Sequence, residues 1–158
     1  MMEKDVLLNR MRALCSRREY CRADIRCRMQ RGMRGTGELP AALQEEILDT
    51  LCREGFVDEG RYAAAFARDR SALHGWGKRR IELALNRKRI PDDAIRKALE
   101  GIDTGRAGEK MVALLSARLR SLRDESEEVR RAKLFRYGMG RGYSYDQIKQ
   151  YYDHYRTT

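Results

Sequence analysis

Apolar residues along this chain recur at intervals of three and four, which is the spacing of one face of an α-helix. The stripe Leu43, Ile47 and Leu51 is an example, and Gly55 follows it as a helix-ending glycine would. Two prolines and few β-branched residues also favour helix over strand. The pattern predicts helices over residues 3–17, 40–54, 58–73, 77–88, 91–100, 106–121, 126–139 and 144–156.

A short motif occurs three times, with an aromatic residue followed five positions later by isoleucine. The three pairs are Tyr20 and Ile25, Trp76 and Ile81, and Tyr143 and Ile148. The residues after the aromatics are Cys21, Gly77 and Ser144, and each stands at the N-cap position of a helix start, the first of them additional to the helices given above. Each pair fits a hydrophobic staple, and Ser144 with Gln147 fits a capping box.

The three staples divide the chain into repeated units. We predict an all-α protein of three tandem three-helix repeats, covering residues 1–55, 56–104 and 105–158, in an elongated, curved array. In such an array each unit packs mainly on its neighbour.

The positive charge follows the repeat. The formal net charge is +10, so a polyanion or an acidic protein face is the expected partner. Residues 10–34 hold nine arginines against two acids, whereas residues 38–59 hold seven acids against one arginine. A solvated helix face explains part of this excess, but it does not explain charge that rises and falls with the repeat.

We therefore predict an electropositive binding surface that runs along several units. Arginine binds carboxylate and phosphate equally well, so the sequence does not choose between DNA and an acidic protein. The candidate residues are Arg22, Arg26, Arg68, Arg70, Lys78, Arg79, Arg80, Arg87, Lys88, Arg89, Arg136 and Arg141.

Motifs for catalysis or metal binding are not evident. Cys15, Cys21, Cys27 and Cys52 lack zinc-site spacing, so we expect reduced thiols and neither metal nor cofactor. Gly138–Gly142 lacks the GK[ST] of a phosphate loop. We expect no enzyme activity. With no long apolar run and no secretion signal, we expect a cytoplasmic protein.

Aromatic residues offer a second interpretation, since Trp76 could stack on a base. The staple explains Trp76 more simply. Packing also explains Tyr151, Tyr152 and Tyr155 better than a base-stacking platform does, because they recur at helical spacing.

These motifs together resemble the RecX family. The central stretch, residues 54–70 followed by Gly-Trp-Gly-Lys-Arg-Arg-Ile over 75–81, carries the resemblance. Residues 17–25 and 142–148 are similar to the opening and closing motifs of that family. The chain departs from the pattern at Tyr20-Cys21, usually His-Ser, and at Arg89, where the family has a glycine suited to a left-handed helix end.

The resemblance implies a monomer that lies in the groove of the filament formed by the RecA recombinase on single-stranded DNA. It would restrain RecA's ATPase, strand-exchange and co-protease activities without catalysis of its own. Direct contact with single- or double-stranded DNA stays open. The alternatives are a DNA-binding helix-turn-helix formed by 58–73 and 77–88, which acts without RecA, and a structural adaptor for another acidic partner.

Overall fold

The computed structural model describes residues 2–32 and 37–157, and within these ranges it contains nine α-helices and no strand. The predicted loop between Gly32 and Gly37 lies largely outside the described residues. The helices are α1 (Met2–Cys15), α2 (Arg22–Gly32), α3 (Ala41–Arg53), α4 (Glu59–Ala72), α5 (Lys78–Arg87), α6 (Asp92–Glu100), α7 (Thr104–Ser121), α8 (Glu127–Gly140) and α9 (Tyr145–Thr157).

The helices pack in three consecutive groups, which we call the first unit (α1–α3), the second unit (α4–α6) and the third unit (α7–α9). Each unit has its own apolar core, centred on Ile25 and Leu51 in the first, Ile81 and Leu85 in the second, and Leu115 and Ile148 in the third. The all-α repeat fold is confirmed. Domain boundaries at residues 55 and 104 stay a prediction.

The array is extended. Its accessible surface is 10418 Å², about a quarter more than the ~8,200 Å² of a compact monomer of 18.5 kDa. The second and third units are joined where α4 packs on α7. Extra surface of this kind is expected when each unit buries only the sides that face its neighbours.

A helix begins within each of the three aromatic–isoleucine motifs. Ile25, Ile81 and Ile148 have no exposed surface, and each lies in the same core as the aromatic residue of its motif. The Ser144–Gln147 capping box is present: the Gln147 amide donates to Ser144 Oγ at 3.1 Å, and the Ser144 amide donates to Gln147 Oε1 at 2.9 Å.

The backbone at the end of α5 is strained at Arg89. Arg89 is the one non-glycine residue in the described ranges with a left-handed backbone, at φ 57°. The Arg89 amide donates to Asn86 O at 2.9 Å and the Ile90 amide donates to Leu85 O at 3.2 Å, as in a Schellman motif. An arginine therefore occupies a position where glycine avoids a steric penalty.

We expect Arg89→Gly to raise the free energy of unfolding by about 1 kcal/mol, because it removes left-handed strain at an exposed site. Urea denaturation followed by circular dichroism would measure the change. The matched control is Glu82→Gly, an exposed position inside the same helix, which should lower stability by about 1 kcal/mol. Destabilisation by both substitutions would contradict this account of Arg89.

Candidate functional site: the basic surface and the junctions between units

The two candidates of the first unit are neutralised within the chain. Arg26 forms an ion pair with Glu45 at 2.7 Å, and Arg22 reaches Glu45 at 3.2 Å and Asp49 at 3.1 Å. The acidic helix α3 thus lies against the basic helix α2. Because these guanidinium groups already have carboxylate partners, the first unit presents less open charge here than the sequence pattern indicated.

Lys88 belongs to the junction between the first and second units. Its ammonium forms an ion pair with Asp24 of α2 at 2.7 Å and lies 5.5 Å from the centre of the Tyr62 ring. Burial alone would raise the pKa of Asp24, but hydrogen bonds from Lys88 and Cys21 outweigh it and lower the pKa. Lys88 therefore connects two units and is not an open contact.

Cys21 has a structural role at the same junction. Its Sγ accepts from the Asp24 amide at 3.4 Å, and its own amide donates to Asp24 Oδ2 at 3.4 Å, so cysteine serves here as a long capping box. The side chain is fully buried in the core of the second unit. Burial raises the pKa of the thiol to about 11, so it is protonated at neutral pH.

The junction between the second and third units includes backbone hydrogen bonds in addition to the packing of α4 on α7. The Gly77 amide donates to Arg141 O at 2.8 Å, and the Arg79 amide donates to Gly142 O at 3.2 Å. A Cβ on Gly77 would lie 2.3 Å from Gly142 C and O, so no side chain fits between the two stretches of backbone. Tyr143 adds a buried hydrogen bond from its hydroxyl to Gly75 O.

Arg141 also acts at this junction, because its guanidinium donates to His74 O across the two units. Two further candidates pack on Trp76. The Arg80 guanidinium lies 4.0 Å and that of Arg70 4.9 Å from the ring centre, and Phe66 meets the ring edge-on at 6.1 Å. With these neighbours, Trp76 is a packing residue in this structure.

The side chains of the remaining candidates are exposed to solvent. Within residues 2–32 and 37–157, no ion pair involves Lys78, Arg79, Arg87, Arg89 or Arg136, whose side chains are exposed. Arg68 is also exposed and lies 3.6 Å from its neighbour Asp69.

Three of the exposed residues share one side of α5. Arg79, Leu83 and Arg87 recur every fourth residue, so they lie on the same face of the helix. Leu83 is 59% exposed, which leaves an apolar side chain between two cations. We call Arg79, Leu83 and Arg87, with the neighbouring Lys78, the α5 stripe.

One group of cations was missed at the sequence level. Arg120, Arg123 and Arg130 line a cleft in the third unit together with Tyr151 and Tyr155. These residues come from α7, α8, α9 and the turn between the first two, so no local motif places them together. Tyr152 is buried as predicted, whereas Tyr155 is 45% exposed.

Reactive groups are dispersed. Within the described part of the chain, no three His, Cys, Asp or Glu side chains gather as metal ligands, and the four cysteines are free. No helix among the described residues is long and apolar enough to cross a membrane.

The fold defines a class: an all-helical protein built from three-helix repeats, with several cationic side chains exposed on its surface. Comparison with known proteins then identifies the family. Residues 58–99 match the RecX second three-helix domain, and residues 109–152 match the RecX third three-helix domain. The chain belongs to the RecX family.

Sequence relatives agree with this assignment, and a solved structure agrees with the fold. The chain is 32% identical over 109 residues to the regulatory protein RecX of Mycolicibacterium vanbaalenii. The matched region covers 69% of this chain and 59% of that protein. It is 28% identical to the Thermobifida fusca RecX over 87% of this chain and 74% of that protein. The crystal structure of RecX from Lactobacillus salivarius matches with a TM-score of 0.81 at 19% identity, over all of both chains.

Proposed function

We propose that this chain is a non-enzymatic regulator that binds in the groove of the RecA–single-stranded-DNA filament. There it restrains ATP hydrolysis, strand exchange and co-protease activity. The observation that carries the proposal is the α5 stripe, an open cationic surface with an exposed leucine in the part of the chain that matches the RecX second domain. An elongated repeat array also suits a polymer, because its units reach neighbouring protomers at once.

Inhibition by this route needs no reaction chemistry. A protein that holds adjacent protomers together slows the conformational changes that accompany hydrolysis. A protein that fills the groove also occupies the space that an incoming duplex needs. Both effects require only binding energy and shape.

The helix-turn-helix alternative has less support from the geometry. In such motifs the N-terminal residues of the second helix contact base edges in the major groove. Here the start of α5 lies against the third unit through the backbone hydrogen bonds of Gly77 and Arg79. The backbone at that end is therefore covered by the third unit, while the side chains of Lys78 and Arg79 stay exposed.

The α5 stripe gives the first test. We expect the triple variant Lys78→Ala, Arg79→Ala, Arg87→Ala to need about tenfold more protein for half-inhibition of RecA's DNA-dependent ATPase. Three exposed charges at about 0.5 kcal/mol each correspond to that factor. Arg80 is left unchanged, because it is half-buried on Trp76 and its removal would disturb packing.

The matched control removes three charges that already have partners. Arg96, Lys133 and Lys149 pair with Glu100, Glu125 and Asp153 at the surface. Their triple alanine variant should inhibit like the wild type. If the stripe variant inhibits RecA as well as the wild type does, the α5 stripe is excluded as the surface that binds RecA. If the wild type binds DNA yet leaves RecA hydrolysis unchanged, the proposed function is overturned.

A further inference from the structure

The third unit contains a cleft of about 270 Å³ between the second half of α7, the start of α8 and the outer part of α9. Its wall is built from Leu119, three arginines and two tyrosines. Ligand pockets begin at about 300 Å³, so this cleft has room for one small planar group rather than for a folded partner. It belongs to the third unit, apart from the α5 stripe.

The charge of the cleft is uncompensated. Arg120, Arg123 and Arg130 line it, no acidic side chain does, and none of the three forms an ion pair within the described residues. The nearby acids Glu125 and Glu127 face other cations, Lys133 at 2.7 Å and Arg156 at 3.2 Å. Three guanidinium groups around one concavity are suited to phosphate oxygens.

The aromatic side of the cleft is held in place. Tyr151 and Tyr155 are four residues apart on α9 and so share a face. The Tyr151 hydroxyl is 2.8 Å from Ser116 Oγ, which fixes that ring against α7. The Tyr155 ring packs against Tyr152, with 6.4 Å between the two ring centres, and Tyr155 is still 45% exposed. An exposed ring beside a fixed one offers an aromatic surface on which a base can stack.

We propose that this cleft binds a nucleotide of a single-stranded nucleic acid, with the phosphates on the arginines and the base on the Tyr155 ring. An acidic peptide would use the arginines but not the aromatic face. A duplex keeps its bases stacked inside, where a cleft of this kind does not reach them. The site goes beyond the proposed function because it requires no RecA, so either can fail without the other.

The test is fluorescence anisotropy with a labelled oligothymidylate of about 12 nucleotides, a matched duplex and no RecA. Tyr155→Ala should weaken single-strand binding by about 5- to 100-fold with an unchanged salt dependence. Tyr155→Phe should bind like the wild type, since the ring remains. The double variant Arg120→Ala, Arg123→Ala should reduce the slope of log affinity against log salt by about 1.4, because each arginine that no longer neutralises a phosphate removes about 0.7.

The double variant Arg96→Ala, Lys149→Ala removes the same charge from surface ion pairs and should keep the wild-type slope. Circular dichroism confirms that each variant is folded. An oligouridylate run in parallel shows whether RNA or DNA supplies the strand. Unchanged affinity in Tyr155→Ala would overturn the proposal. So would equal affinity for single strand and duplex, or full displacement of the oligonucleotide by a polyglutamate peptide at equal charge.

Discussion

Replacing Gly142 by alanine should lower the free energy of unfolding by about 2–5 kcal/mol. Gly142 has φ +96°, where an L side chain is strained, and its Cβ would lie 2.6 Å from the backbone nitrogen and Cβ of Arg80. It would also lie 2.8 Å from Gly77 O. The new Cβ would clash with main-chain atoms of Gly77 and Arg80 at the start of α5. Rotation of a side chain cannot relieve this clash, so the second and third units must move apart.

The neighbouring glycine supplies the control. A Cβ on Gly140 meets nothing within 4 Å, and its backbone is not left-handed. Gly140→Ala should therefore leave stability unchanged or raise it by up to about 1 kcal/mol. The midpoints of urea unfolding compare the two variants directly. A Gly142→Ala variant that unfolds at the wild-type midpoint would show that the glycine backbone contact does not hold these units together.

Truncating the central staple should have an effect of similar size. Ile81 is fully buried in the core of the second unit, and Ile81→Ala should cost about 2–5 kcal/mol, because apolar burial is reduced and a cavity is left behind. Calorimetric or chemical unfolding would measure the loss of stability.

Leu83 lies two residues further along the same helix and is 59% exposed, so Leu83→Ala should change stability by less than about 0.5 kcal/mol. The two changes remove side chains of equal carbon number from one helix. Similar losses at both positions would mean that the staple does not anchor α5.

Local features of this fold were predictable because their physics is local. The spacing of apolar residues specifies which side of a helix is buried, and Ser144 with Gln147 satisfies the start of α9 within four residues of chain. At Arg89 the chain lacks the glycine suited to a left-handed helix end, yet the backbone there is left-handed, at φ 57°. None of these inferences depends on how the units are placed.

The candidate surface was harder to predict because its charges pair over long distances in sequence. Arg22 meets Asp49 across 27 residues and Lys88 meets Asp24 across 64, so a count of basic residues overstated the open charge. Arg120, Arg123 and Arg130 were missed for the same reason, since their cleft exists only after three helices have packed. Both the ion pairs and the cleft depend on how the helices pack against one another.

The two junctions between the units differ in the atoms that form them. At the first, side chains form the contact: Lys88 pairs with Asp24 at 2.7 Å and Arg61 pairs with Glu19 at 2.6 Å. At the second, main chain lies directly on main chain around Gly77 and Gly142. A shift of the third unit against the second therefore requires main-chain hydrogen bonds to break, and no side-chain rotation can compensate for that loss.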